Sequence, residues 1–119
     1  MAVRQSAKRR GAYPTPAWLV SEVVGHALPP VTAGQRVTVL DPACGDGRFL
    51  VAAAGALRHR GAVPVLRGID IDGDAIAQAR HHLAPALDAA ADVELVVGDA
   101  LGEDDVLGAE PFDVVVGNP

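Results

Sequence analysis

The chain has 119 residues, 50% of them hydrophobic and 21% charged, which is enough apolar material for one core and too much for an intrinsically disordered chain. A formal net charge of -5 with only 3% aromatic residues excludes a freestanding module that grips nucleic acid through a basic face. A single cysteine, Cys44, excludes an intramolecular disulfide framework and a multi-cysteine zinc site and fits a reducing cytoplasm, and no apolar run approaches the ~18 to 20 residues of a membrane span.

The charge is unevenly spread. Arg4, Lys8, Arg9 and Arg10 fall in the first ten residues, and all the acidic side chains follow them. Residues 1–12 read as a mobile basic arm, a solvated tail or a phosphate contact, with no apolar segment behind the arginines that would make a signal peptide. Pro14 and Pro16 impose an extended stretch, a helical run follows from Ala17 to Leu28, and Pro29 and Pro30 end it. Trp18 is expected to pack inward, under the ligand site.

Val37, Val39 and Leu40 form an apolar strand closing on Asp41 and Pro42, and a glycine loop, Gly45 to Gly47, comes next. Phe49, Leu50, Ala53, Ala54 and Leu57 recur at helical spacing to about His59. A second strand is expected over Val65 to Asp70, a helix from Gly73 to about Leu83 with Pro85 behind it, and a third strand over Val93 to Val97. An acidic connection, Leu101 to Gly108, leads to a fourth strand, Phe112 to Val116, which stops at Gly117, Asn118 and Pro119. Alternating short Val/Leu-rich strands and helices predict an α/β fold with a doubly wound, mostly parallel sheet, of which these are four strands.

Ligands of such sheets bind beyond the carboxyl ends of the strands, where strand order reverses, and the informative residues fall there. Asp41-Pro42-Ala43-Cys44-Gly45-Asp46-Gly47 reads either as a tight strand-to-helix turn or as a loop whose glycines admit a ligand to the backbone. The third position of a dinucleotide fingerprint is Leu50 and there is no Walker lysine, so pyrophosphate and triphosphate are disfavoured. Asp41 and Asp46 suit a ligand with a cationic end. Asp70 ends the second strand, where a carboxylate can accept from both hydroxyls of a ribose; as a helix N-cap, Asp72 or Asp74 fits better. Asp99 can accept from an exocyclic amine or begin a turn, and Gly117-Asn118-Pro119 is either a turn or a compact acceptor pair for an amino group. His26, His59, His81 and His82 fall on helical segments without metal-ligand spacing, and Cys44 reads as a small buried hydrophobe.

Together these stretches resemble the class I S-adenosylmethionine-dependent methyltransferases, most closely the adenine-N6 DNA type. The most specific parts are Asp41 to Gly47 and Phe112 to Pro119, the latter similar to the start of an Asn-Pro-Pro-Tyr/Phe catalytic motif. Gly11-Ala12-Tyr13-Pro14-Thr15-Pro16 resembles the family's Tyr-Tyr-Thr-Pro cofactor motif, with Pro14 in place of the second tyrosine. The resemblance implies a Rossmann-like methyltransferase fold, S-adenosyl-L-methionine as cofactor, and residues 13–119 as the cofactor-binding half of a domain cut at its catalytic motif. It implies that Tyr13, Thr15 and Pro16 border the methionine end, that Asp41, Ala43 and Gly45 line it, and that Asp70 holds the ribose. Ile71 would pack on the adenine, Asp99 would accept from its amino group, and Asn118 and the Pro119 carbonyl would hold the target amine.

The expected activity is methyl transfer to an exocyclic amino group of a flipped base, in a restriction-modification or phage-defence system in the cytoplasm. DNA would be held through sequence mostly absent from these residues, and a partner chain or C-terminal target-recognition domain would complete the sheet and cover its open fourth-strand edge. Two other readings stand beside it: an rRNA or protein-glutamine N-methyltransferase, and a non-catalytic cofactor-binding fragment. The 119 residues alone are expected to show little or no transfer.

Overall fold

A computed structural model describes residues 15–86, 91–99 and 111–117. The elements run α1 (Ala17–Ala27), β1 (Arg36–Asp41), α2 (Arg48–His59), β2 (Val63–Asp70), α3 (Gly73–Leu83), a 3-10 turn (Ala84–Ala86), β3 (Asp92–Val97) and β4 (Val114–Val115). The four strands are parallel, in the order β3-β2-β1-β4. This is the expected α/β architecture, and the direction of winding reverses beside β1.

Parity along the strands decides which residues meet the helices. Val37 and Val39 of β1, Leu66 of β2 and Leu95 of β3 join Phe49, Leu50, Ala53, Ala54 and Leu57 of α2 and Ile76, Ala79 and Leu83 of α3 in one buried core. Val20 and Val24 bring α1 into the same layer against α2. Both crossovers, β1 to β2 and β2 to β3, step the same way, so right-handed connections place α2 and α3 on one face. The β3-to-β4 step goes back across β1, and its connection lies outside the described residues. On the opposite face Val65 and Ile69 are buried, and between them Arg67 is 7% exposed, its Nη2 3.2 Å from Asp92 Oδ2 and its Nε 3.5 Å from Glu94 Oε2.

Two strands differ from the expected bounds by two residues or more, and β3 begins one residue early, at Asp92. β2 begins two residues early, at Val63-Pro64. Pairing with β3 starts only at Val65↔Asp92, so the missing Pro64 N–H interrupts no ladder. β4 is shorter than predicted, although Asp113 N–H to the Thr38 carbonyl (2.9 Å) and Val116 N–H to the Leu40 carbonyl (2.8 Å) continue its pairing on either side. Trp18 corrects an expectation: it is 69% exposed. The buried stripe of α1 is Val20 and Val24, with buried Leu28 just past the helix end, and Trp18 lies about half a turn away from it. No helix among the described residues is long and apolar enough to cross a membrane.

Candidate functional site at the strand ends

β1 ends on Asp41, 1% exposed, and the chain turns directly into α2. The turn is built by Gly45 (φ 56°) and Gly47 (φ 88°), both in the left-handed region that costs a residue with a Cβ most. Gly47 has a second reason to lack a side chain, because a Cβ there would lie 3.1 Å from Ala79 Cβ of α3. Beneath the loop, Cys44 is buried and its N–H donates to the Ile69 carbonyl at 2.8 Å, so the small-hydrophobe reading holds. Gly68 makes this seat possible. A Cβ on it would come within 2.8 Å of Leu95 Cδ2 and 3.0 Å of both Cys44 Sγ and Leu50 Cδ1.

Asp70 joins the strand ends together. It is 3% exposed; its Oδ2 accepts the Gly45 N–H and its Oδ1 accepts the Asp72 N–H, each at 2.9 Å. Its backbone carbonyl accepts the Gly98 N–H at 2.9 Å, which holds the segment leading to Asp99 beside the end of β2. The helix-cap role falls to Asp72, whose Oδ1 accepts from the Asp74 and Ala75 N–H groups. The two backbone bonds of Asp70 fix the direction in which its carboxylate points.

Of the residues singled out in the sequence, the structure brings Asp41, Ala43, Gly45, Asp70 and Ile71 to one end of the sheet. Asp41 Oδ1 accepts the Ala43 N–H at 3.1 Å. Ile71 is 76% exposed beside Asp70, and Asp99 is exposed past β3. Thr15 and Pro16 precede α1, and the Thr15 carbonyl accepts from Arg48 Nη1 at 2.9 Å. Tyr13, Asn118 and Pro119 lie outside the described residues. The chain approaching Asn118 is nonetheless constrained at Gly117 (φ 129°), where a Cβ would sit 2.7 Å from Asp41 Oδ1.

Asp46 does not add free negative charge to the loop as expected. Arg48 grips it with Nη2–Oδ2 at 2.8 Å and Nε–Oδ1 at 3.2 Å, and these hydrogen bonds hold the Asp46 carboxyl below its ordinary range and raise the guanidinium. His82 Nδ1 lies 2.9 Å from the Asp46 carbonyl oxygen, a structural contact in keeping with the reading of the histidines. Behind this pair, a largely apolar cleft of about 620 Å³ is lined by Ala17, Val20, Arg48, Val51, His82 and Pro85, with none of the strand-end carboxylates other than Asp46. Arg48, Gly68 and Gly117 are the residues that sequence reasoning passed over. Arg48 carries one signal, a cation at the first position of a helix with no acidic residue in its first turn.

The whole chain, residues 1–119, matches the family model described as N-6 DNA Methylase. Among solved structures, the chain is similar to a type I restriction-modification system methyltransferase subunit from Streptococcus thermophilus (TM-score 0.72, 22% identity, 87% of this chain and 22% of that one). It is also similar to a Listeria monocytogenes protein described as a class I S-adenosylmethionine-dependent methyltransferase (TM-score 0.62, 24% identity, 83% of this chain and 28% of that one). The chain thus spans between a fifth and a third of the length of those proteins. It belongs to the N-6 DNA methylase family and has the fold of the S-adenosylmethionine-dependent methyltransferases.

Proposed function

We propose that this chain is the S-adenosylmethionine-binding part of a DNA adenine-N6 methyltransferase of restriction-modification type. The observation that carries the reading is Asp70, a buried carboxylate at the end of β2 whose two oxygens are aimed by the Gly45 and Asp72 N–H groups, at the place where strand order reverses beside β1. The donor set fits the cofactor. Asp70 is an acceptor for the ribose hydroxyls, exposed Ile71 offers an apolar surface to the adenine, and Asp99 is an acceptor for its amino group. Asp41, Ala43 and Gly45 line the path of the methionine end, with Tyr13, Thr15 and Pro16 at its border.

When bound, the cofactor supplies a methyl group already activated by a sulfonium. The chain's task is then alignment and exposure of the acceptor nitrogen's lone pair. The side-chain oxygen of Asn118 and the carbonyl of Pro119 accept the two N–H hydrogens of the adenine amino group, which favours a more tetrahedral, more nucleophilic nitrogen as charge develops. Gly117, which passes Asp41 where a Cβ would not fit, is the residue immediately before this pair in the sequence. The target base reaches them flipped out of the duplex, against surfaces supplied by other sequence, and the 119 residues alone bind cofactor without turnover.

Calorimetric titration of the chain with S-adenosylmethionine tests the cofactor site: binding that is lost in Asp70→Ala supports it, and no heat at millimolar ligand with a folded circular dichroism spectrum overturns it. Mass spectrometry of nucleosides from DNA treated with the enzyme encoded by the complete gene tests the substrate. N6-methyladenine is expected; methyl groups found only on cytosine, on rRNA or on protein glutamine refute the adenine assignment.

A further inference from the structure

Arg48 occupies a place that elementary electrostatics disfavours. It is the first residue of α2, where the helix macrodipole repels a cation, and Gly47 before it supplies no side-chain cap. Its guanidinium is instead turned onto three oxygens. Two belong to Asp46 inside the glycine loop, and the third is the Thr15 carbonyl, 33 positions earlier in the chain at 2.9 Å. A planar fork with five N–H donors in fixed geometry holds a carboxylate on one side and a carbonyl on the other at once, a span that a compact ammonium does not match. His82 meets the Asp46 carbonyl from α3, so the loop is tied both to the segment preceding α1 and to α3.

We propose that Arg48 is a positioning residue for the amino-acid end of the cofactor, locking the Thr15 segment onto the glycine loop so that the two form one binding wall. The inference rests on the cofactor reading above. With the ribose on Asp70 and the base toward β3, the remaining part of the molecule runs back over β1, past Asp41 and Gly45. Thr15 and Asp46 flank that path, and Arg48 is the group that sets their separation. It touches no reacting atom.

The test compares S-adenosylmethionine with 5′-methylthioadenosine, which lacks the amino-acid portion, by calorimetry on the chain and on Arg48→Met. Arg48→Met should weaken S-adenosylmethionine about tenfold, as expected for losing one charge-assisted network, and change methylthioadenosine less than about twofold. Equal losses for the two ligands would mean a general effect on the fold and would overturn the proposal, as would no loss for either. If the wild-type chain binds neither ligand, the cofactor reading itself falls and this inference with it. Should Arg48→Met fail to fold, the same comparison on Arg48→Lys decides, because its ammonium keeps the charge near Asp46 but lacks the planar fork that spans Asp46 and Thr15; an unselective loss there overturns the proposal.

Discussion

Replacing Asp70 by asparagine changes one heavy atom and separates two roles that the proposed function gives one side chain. In the native protein each carboxylate oxygen accepts one backbone N–H, from Gly45 on one side and Asp72 on the other, at 2.9 Å. A carboxamide has the same shape but one oxygen, so one of those two N–H groups must face an NH2. The lost bond to a charged acceptor costs about 1.5–3 kcal/mol, and the surviving bond weakens because its acceptor is now neutral. Removing a charge from a site only 3% exposed offsets part of this. The expected net loss is about 2 kcal/mol, or roughly 8 °C in Tm for a domain of this size. Urea unfolding at pH 7, followed by far-ultraviolet circular dichroism, measures it directly, with an unchanged m-value showing that stability alone has moved. Under the proposed function, cofactor affinity should fall together with stability, since the oxygens that orient the loop are those assigned to the ribose. An Asp70→Asn chain within about 0.5 kcal/mol of wild type, the range of an ordinary surface change, would refute the argument that Asp70 fixes the strand ends.

Two glycines predict opposite signs for the same substitution. Gly55 lies in α2 with nothing within 4 Å of its would-be Cβ, so Gly55→Ala should stabilise by about 0.5–1 kcal/mol, whereas Gly117→Ala, at φ 129° and 2.7 Å from Asp41 Oδ1, should destabilise by about 1–3 kcal/mol; melting curves of the two variants compare them. Gly68→Ala overfills the space shared by Leu95, Cys44 and Leu50 and should cost about 1–3 kcal/mol. A double-mutant cycle with Leu95→Ala should recover at least about 0.5 kcal/mol of coupling, and strict additivity would contradict the packing described. The Asp46–Arg48 pair makes stability depend on pH in a defined direction. Asp46 is lowered in the folded state, chiefly by its hydrogen bond with Arg48, so its contribution is present above the unfolded carboxyl pKa of about 4 and is lost as pH falls through the lower folded value. The stability gap between wild type and Arg48→Met should accordingly be constant above about pH 5 and narrow under more acidic conditions, without vanishing, because the Thr15 contact does not titrate; a gap that widens on acidification would contradict it.

The parts of the fold legible in the sequence are those set by local rules. α3 runs from Gly73 to Leu83 as its spacing indicates, because Asp72 caps it and Pro85 lies just past its end. The glycine loop and the acidic strand ends were legible for the same reason, since left-handed turns and N-caps have few residue solutions. Trp18 departs from the expected inward packing because its position relative to Val20 and Val24 places it off the buried face of α1. Arg48 escaped because its distant partner is a backbone carbonyl, a group every residue carries and no sequence pattern marks. Gly68 and Gly117 escaped because what they avoid, Leu95 and Asp41 respectively, becomes a neighbour only once the sheet order is known.

The acidic balance of the chain takes on a different meaning at the strand ends than it has as a net charge. Three carboxylates there would repel one another and any further electron-rich group if they stood unconstrained. Instead each has an assigned donor: Ala43 N–H for Asp41, the Arg48 fork for Asp46, and the Gly45 and Asp72 N–H groups for Asp70. These donors do two things. They offset charge locally, so that the loop can hold its turn without a ligand, and they fix each oxygen's direction before a ligand arrives. A site oriented in advance loses little further entropy on binding. The pair at Asp46 is the exception within this set. Both its oxygens are engaged by a full cation, whereas the Asp70 oxygens are oriented by backbone N–H groups, one from the glycine loop and one from the N-cap of α3.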